Sequence, residues 1–304
     1  MFIEQAYRNR RNLIAYLPFP LVFLGLMAAN FMVSTEDTNT IIRNEIARYG
    51  KSMFFFSNLV PFAILMLLLF FWVKYMHRQS ILSLTTSRPE IDWHRIFFSF
   101  LVWGGFSTLL IFISYQSDPE SFLFNFNLRP FLALALISLT LIPFQTSFEE
   151  YLFRGYLMQG IGLVSRRKWV PLVATSVIFG LLHGANPEVE KMGYILLVYY
   201  VGTGFLLGIM TLMDDGMELS LGFHAANNIT GALLVTSDWT VFQTDSVLID
   251  KSEPSAGLEV IFPVLVIFPI LLFIFSKKYQ WSGWKEKLFG KIVLPPVENQ
   301  NPPL

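Results

Sequence analysis

A few ionisable and polar side chains stand at helical spacings inside otherwise apolar stretches of this sequence: Glu149 and Glu150 with Arg154, Phe179 with His183, and His224 with Asn228. Residues four apart share a helix face, so Glu150 can pair with Arg154 and His224 can lie beside Asn228. Glu149 projects about 100° away from Glu150 and can face a different cavity. One carboxylate is then neutralised by the guanidinium while the other stays available as a base. The chemistry open to such a set is proton transfer, either to activate a water or to relay protons across a membrane. Each cluster taken singly also has a plainer role. The Glu-Glu-Arg group can be an ion pair at a helix end, His183 can be bonded to a carbonyl at the end of a span, and His224 with Asn228 can be hydrogen-bonded glue between helices. His77 and His94 fall in the basic stretch 74–95 and read as interfacial, not catalytic.

The elements that must position these groups are membrane helices. A span needs about 20 mostly apolar residues. Such runs lie at about 13–33, 53–73, 96–115, 131–148, 169–185, 194–213, 217–235 and 258–276. Only helices and closed barrels satisfy backbone polar groups in lipid, and the short alternating segments of a barrel are missing. The fold class is therefore all-α, a polytopic transmembrane helical bundle of about eight spans. With the N-terminus cytoplasmic, the inside segments collect Arg8, Arg10 and Arg11, the 74–95 stretch, Arg166, Arg167 and Lys168, and the lysines from Lys277 to Lys291. Few cations fall outside, as the positive-inside rule asks, and both termini are then cytoplasmic. The run after Arg11 is too long for a cleaved leader and reads as a retained first span. The tail Val297–Leu304 reads as disordered on composition.

Depth links two of the clusters. Counted from the loop Ser165–Lys168, Glu149 lies about 15 residues up one helix and His183 about 14 up the next, so both sit roughly 20 Å from that loop. His224, six residues after Glu218, lies only about 9 Å deep if the Asp214–Glu218 link is at the surface. It reaches the others if that link dips into the protein or the helices tilt.

Composition agrees with a membrane protein. Of 304 residues 54% are hydrophobic and only 14% charged, where a soluble domain carries about 25% charge. The formal net charge is zero, so nothing points to nucleic acid. Cysteine is absent, which removes disulfides, thiolate metal ligands and a cysteine nucleophile.

Taken together, and in this order, Glu-Glu-x-x-x-Arg, Phe-x-x-x-His and His-x-x-x-Asn resemble the CPBP intramembrane proteases, the CAAX-processing and bacteriocin-processing group that includes Rce1-like and Abi proteins. The pattern falls on Glu149, Glu150 and Arg154, on Phe179 and His183, and on His224 and Asn228. The resemblance covers about residues 130–235. It divides the chain into N-terminal helices over 1–130 (about three spans), a catalytic core over 131–235, and a last helix with a cytoplasmic tail over 236–304. It implies an intramembrane endopeptidase that hydrolyses a peptide bond of a membrane-associated protein or peptide. Glu149 would activate water with His183, His224 and Asn228 would stabilise the oxyanion, and Glu150, Arg154 and Phe179 would support them. The group is often labelled metalloprotease. Glu149, His183 and His224 could hold one divalent ion such as zinc, although the His-Glu-x-x-His signature is absent. Both water-activation schemes remain open, with the metal-free one preferred. Neither a Gly-x-Ser-Gly nor a Gly-x-Gly-Asp motif offers another intramembrane protease chemistry. A non-proteolytic Abi-type scaffold and a proton-coupled transporter are the alternatives. The expected partners are a membrane-associated substrate and the lipid bilayer, with no nucleic acid, in the cell membrane of a bacterium.

Overall fold

The chain folds as a helical bundle, and the computed structural model describes residues 1–8, 13–33 and 37–293. Arg10, Arg11 and the tail Val297–Leu304 lie outside the described residues. The bundle opens with α1 (Pro18–Val33), α2 (Thr38–Tyr49) and α3 (Lys51–Tyr75), followed by short α4 (Ile81–Thr85) and long α5 (Trp93–Ser117). Next, α6 (Leu128–Glu150) runs through a π-helical turn, Tyr151–Leu157, into α7 (Met158–Ser165). The central helices are α8 (Trp169–Leu182), α9 (Pro187–Met192), α10 (Leu196–Asp214) and α11 (Glu218–Leu234). Finally α12 (Leu258–Phe262) passes through a second π-helical turn into α13 (Phe268–Tyr279), and α14 (Trp284–Phe289) follows. Three short strands, β1 (Phe122–Phe124), β2 (Val235–Thr236) and β3 (Leu248–Asp250), cap the end of the bundle from which α6 starts. Strand β3 is antiparallel to β1, with Phe122 opposite Asp250, and parallel to β2, with Val235 opposite Leu248.

Helices occupy each of the eight apolar runs. Five stretches are long and apolar enough to cross a membrane: Lys51–Tyr75, Trp93–Ser117, Leu128–Ser165, Leu196–Asp214 and Leu258–Tyr279. The other three runs give α1, α8 and α11, of 16, 14 and 17 residues, short of the usual length for a span. Helix α8 stops for a local reason. Asn186 precedes Pro187, which pushes it out of the helical region to φ −70°, ψ 143°. The outer helices carry large apolar side chains outward, such as Leu68 and Phe71 on α3, Leu101 and Phe112 on α5, and Leu265 and Phe273 beyond α12. Such a surface is stable against lipid and not against water, and the protein is an integral membrane protein.

Helix α11 lies inside, packed on α5, α6 and α10. The link that leads into it is buried, with Asp214 4% and Glu218 0% exposed. Arg88 holds both carboxylates, at 2.8 Å from Asp214 and 3.1 Å from Glu218, and Arg95 reaches Asp214 at 2.5 Å. Trp281 donates to Asp214 at 3.0 Å, and Lys287 from α14 binds Asp215 at 2.8 Å. The link therefore dips beneath the 86–95 segment and the C-terminal helix.

Small residues set the helix spacing around the site. A Cβ on Gly204 of α10 would lie 2.7 Å from the Ser176 carbonyl oxygen and 2.8 Å from its Cα. On Gly222 of α11 it would strike the Ile96 carbonyl of α5, a backbone atom that no rotamer change can move away. Overpacking of this kind costs about 1–3 kcal/mol. Gly222→Ala is expected to force α11 off α5 and lower the Tm of the detergent-solubilised protein by several degrees, read by intrinsic fluorescence. An unchanged Tm would show that α5 and α11 have slack here.

Candidate active site

Glu149 and Glu150 end α6 at the point where the backbone widens into the π-helical turn, a feature common at functional positions. Glu150 and Arg154 are each fully buried, and Nη1 of Arg154 donates to Oε1 of Glu150 at 2.9 Å. Nη2 of Arg154 reaches the Gly204 carbonyl of α10 at 3.2 Å. Its guanidinium also lies 4.3 Å from the ring centroid of Phe179, a cation–π contact. The i,i+4 pair is thus tied to both α8 and α10.

His224, 5% exposed, enters from α11. Its Nδ1 lies 2.8 Å from the same Oε1 of Glu150. A carboxylate only accepts, so Nδ1 carries the hydrogen and Nε2 faces the other way. There Oε2 of Glu149 stands 3.8 Å off. The two carboxylates do not face different cavities as their 100° separation suggested. An imidazole presents its nitrogens on opposite sides, and the ring fits between the two acids. Glu149 is buried, its Oε1 accepts from Nε2 of Gln145, and its Oε2 has no hydrogen-bond partner among the described residues. Oε1 of Gln145 in turn accepts from Nδ2 of Asn228 at 3.0 Å. Glu149, His224 and Asn228 thus belong to one polar cluster.

His183 reaches the cluster through an aromatic ring. The Phe179 centroid is 4.6 Å from His183 and 5.9 Å from His224. Nδ1 of His183 lies 2.8 Å from the Phe179 carbonyl, which can only accept, so Nε2 keeps its lone pair in the neutral ring. Tyr200 of α10 stacks on the other face at 4.4 Å. No hydrogen bond joins His183 to Glu149 among the described residues.

Residues 128–230 match the family model for "Type II CAAX prenyl endopeptidase Rce1-like". This Rce1-like segment holds every polar side chain of the cluster just described. YyaK, an uncharacterized protein of Bacillus subtilis (strain 168), is 30% identical over 171 residues, which is 56% of this chain and 57% of that one. The chain therefore spans little more than half the length of this relative. No solved structure matches the chain.

Within the Rce1-like segment the donor set for a metal is not assembled. No group of three His, Asp or Glu side chains among the described residues is placed to hold an ion. Gln145 is the site residue that motif reasoning passed over. Its signal was present as a lone amide in an apolar run, four residues before Glu149 and so on the same helix face. Outside the segment His94 is exposed, whereas His77, just past the end of α3, is covered by protein. It is 1% exposed, stacks 4.2 Å from Tyr16 and meets the Tyr156 hydroxyl at 3.0 Å. Burial draws its pKa down from the usual histidine value.

Proposed function

We propose that this protein is an intramembrane endopeptidase of the CAAX-processing type. It would act in a bacterial cell membrane on a membrane-associated protein or peptide. The observation that carries the reading is Glu149: a buried carboxylate with one oxygen tied by Gln145 and the other free, 3.8 Å from a histidine nitrogen, within the Rce1-like segment. Glu149 Oε2 takes a proton from a water, and the oxygen attacks the scissile carbonyl carbon. His183 Nε2, with its lone pair free, accepts from the same water and orients it. Negative charge then develops on the carbonyl oxygen. Asn228 has a second Nδ2 hydrogen to offer it, and His224 offers Nε2–H when the ring donates from both nitrogens, that is, as an imidazolium. Glu150, held by Arg154, is the counter-ion for that form. Collapse of the intermediate breaks the C–N bond, and Glu149 returns its proton to the leaving amine. The products are a carboxylate terminus and an amine terminus, with one water consumed.

The test is cleavage by the full chain in phospholipid vesicles, with a prenylated CAAX reporter peptide and with membrane extract read by N-terminal mass spectrometry. New termini that require the protein are expected. An intact reporter together with an unchanged set of termini would defeat the proteolytic reading. Cleavage is also expected to survive EDTA and 1,10-phenanthroline, because in this scheme Glu149 takes the proton from a water that no metal ion holds. Loss on chelation that zinc restores would replace this scheme with a metal-bound water.

A further inference from the structure

Glu149 is the last member of a hydrogen-bond chain that crosses three helices. Trp103 Nε1 on α5 donates to Oδ1 of Asn227 at 3.1 Å. Asn227 Nδ2 donates to Oδ1 of Asn228 at 3.1 Å. Asn228 Nδ2 donates to Oε1 of Gln145 at 3.0 Å, and Gln145 Nε2 donates to Oε1 of Glu149. An amide can ordinarily be turned end for end, but here both ends of the chain have fixed polarity. The indole can only donate and the carboxylate, when ionised, can only accept. With these two ends set, each of the three amides between them has one allowed orientation, and every link points toward Glu149.

We infer that this polarised chain is a positioning device, with Trp103, Asn227 and Gln145 holding Glu149 and Asn228 in working orientation from outside the reacting centre. The inference rests on the proposed role of Glu149 as base. Three consequences belong to the geometry. The Gln145 amide fixes one carboxylate oxygen and so turns the other, Oε2, toward the His224 side. The same amide, by accepting from Asn228, forces the NH₂ end of Asn228 toward the cluster, where its second hydrogen faces outward as a donor. Trp103 then does more than fill space. It is 6% exposed and packs 4.5 Å from Phe223, but its N–H also sets the direction of the whole chain. Low dielectric and mutual polarisation strengthen bonds linked in this way. The motifs give no hint of Trp103, because it lies on α5, outside the Rce1-like segment.

Trp103→Phe removes the donor and keeps most of the ring, and Gln145→Met removes the last link at similar volume. Infrared difference spectra of the full chain in phosphatidylcholine vesicles, wild type minus Glu149→Gln, give the carboxylate band of Glu149 without needing a substrate. That band is expected to move in Gln145→Met and, in the same direction, in Trp103→Phe, although Trp103 does not touch Glu149. With the prenylated reporter, kcat is expected to fall about tenfold in Gln145→Met and less in Trp103→Phe, with KM within about twofold. A band unmoved in Trp103→Phe overturns the chain, even if Glu149→Gln is inactive and the proteolytic reading stands. A loss of kcat fully explained by a lower Tm or folded yield overturns it as well. If neither the reporter nor the membrane extract is cleaved, the proteolytic reading fails, and the infrared comparison still decides the chain.

Discussion

Glu149→Gln is expected to abolish cleavage, with turnover down by about 10²–10⁴-fold, the usual contribution of a positioned general base. The substitution is nearly isosteric and keeps an oxygen to accept from Gln145. It replaces the free Oε2 by an NH₂ group that cannot take a proton from water. Folding should be little affected, because the lost carboxylate atom has no hydrogen-bond partner to leave unsatisfied. Membrane insertion, Tm and monodispersity are therefore expected to match the wild type. Glu149→Asp makes a finer test. It keeps the charge but draws the carboxylate back by about one bond length, away from both Gln145 and His224, and near-attack geometry does not tolerate an ångström of misplacement. It too should be strongly impaired. If Glu149→Gln retained activity within tenfold of wild type on a verified substrate, Glu149 would not be the base and the mechanism would fall.

The part of this site that could be read from sequence is the part set by helix periodicity. Glu150 meets Arg154 because an i,i+4 pair must, whereas the matching depths counted for Glu149 and His183 bring His183 only as far as the Phe179 ring that lies between it and His224. What could not be read depends on how helices meet. The π-helical turn after Glu150 changes the phase of α7 relative to α6, and no residue type announces it. The imidazole of His224 sits between two acids carried by another helix, and the buried link that starts α11 is held by Arg88 and Arg95 from more than a hundred residues away in sequence. Basic residues surround His77 in the chain, and only the fold shows that Tyr16 and Tyr156 pack on it in space. Eight apolar runs were visible, but only the structure reveals that α8 and α11 are short helices, and that α11 is largely buried and brings His224 and Asn228 to the end of α6. Two helices with exposed apolar faces also reach the cluster: α6 supplies Gln145, Glu149 and Glu150, and α5 the indole of Trp103.

Arg154 carries the largest expected effect on stability. Its guanidinium is fully buried and touches three helices: Glu150 on its own helix, the Gly204 carbonyl on α10 and the Phe179 ring on α8. Arg154→Leu removes the one guanidinium bonded to Glu150 among the described residues and leaves that carboxylate inside the protein, beside a second acid across the His224 ring. Breaking a buried pair by removing one partner costs about 3–5 kcal/mol, because the charge left behind has lost both water and its counter-ion. This is a large share of a typical folding free energy. The single variant is expected to lose folded, monodisperse protein and to show a sharply lower Tm in detergent. The double variant Glu150→Gln with Arg154→Leu is expected to recover much of that loss. It buries no uncompensated charge, and the amide oxygen of glutamine can still accept from Nδ1 of His224. Cleavage should nonetheless stay weak in the double variant, because a neutral amide no longer balances an imidazolium at position 224. Stability and activity therefore separate in one pair of proteins. If Arg154→Leu is as stable as the wild type, the guanidinium is not the counter-ion of Glu150. If the double variant is fully active, the acid beside Nδ1 plays no part in oxyanion stabilisation.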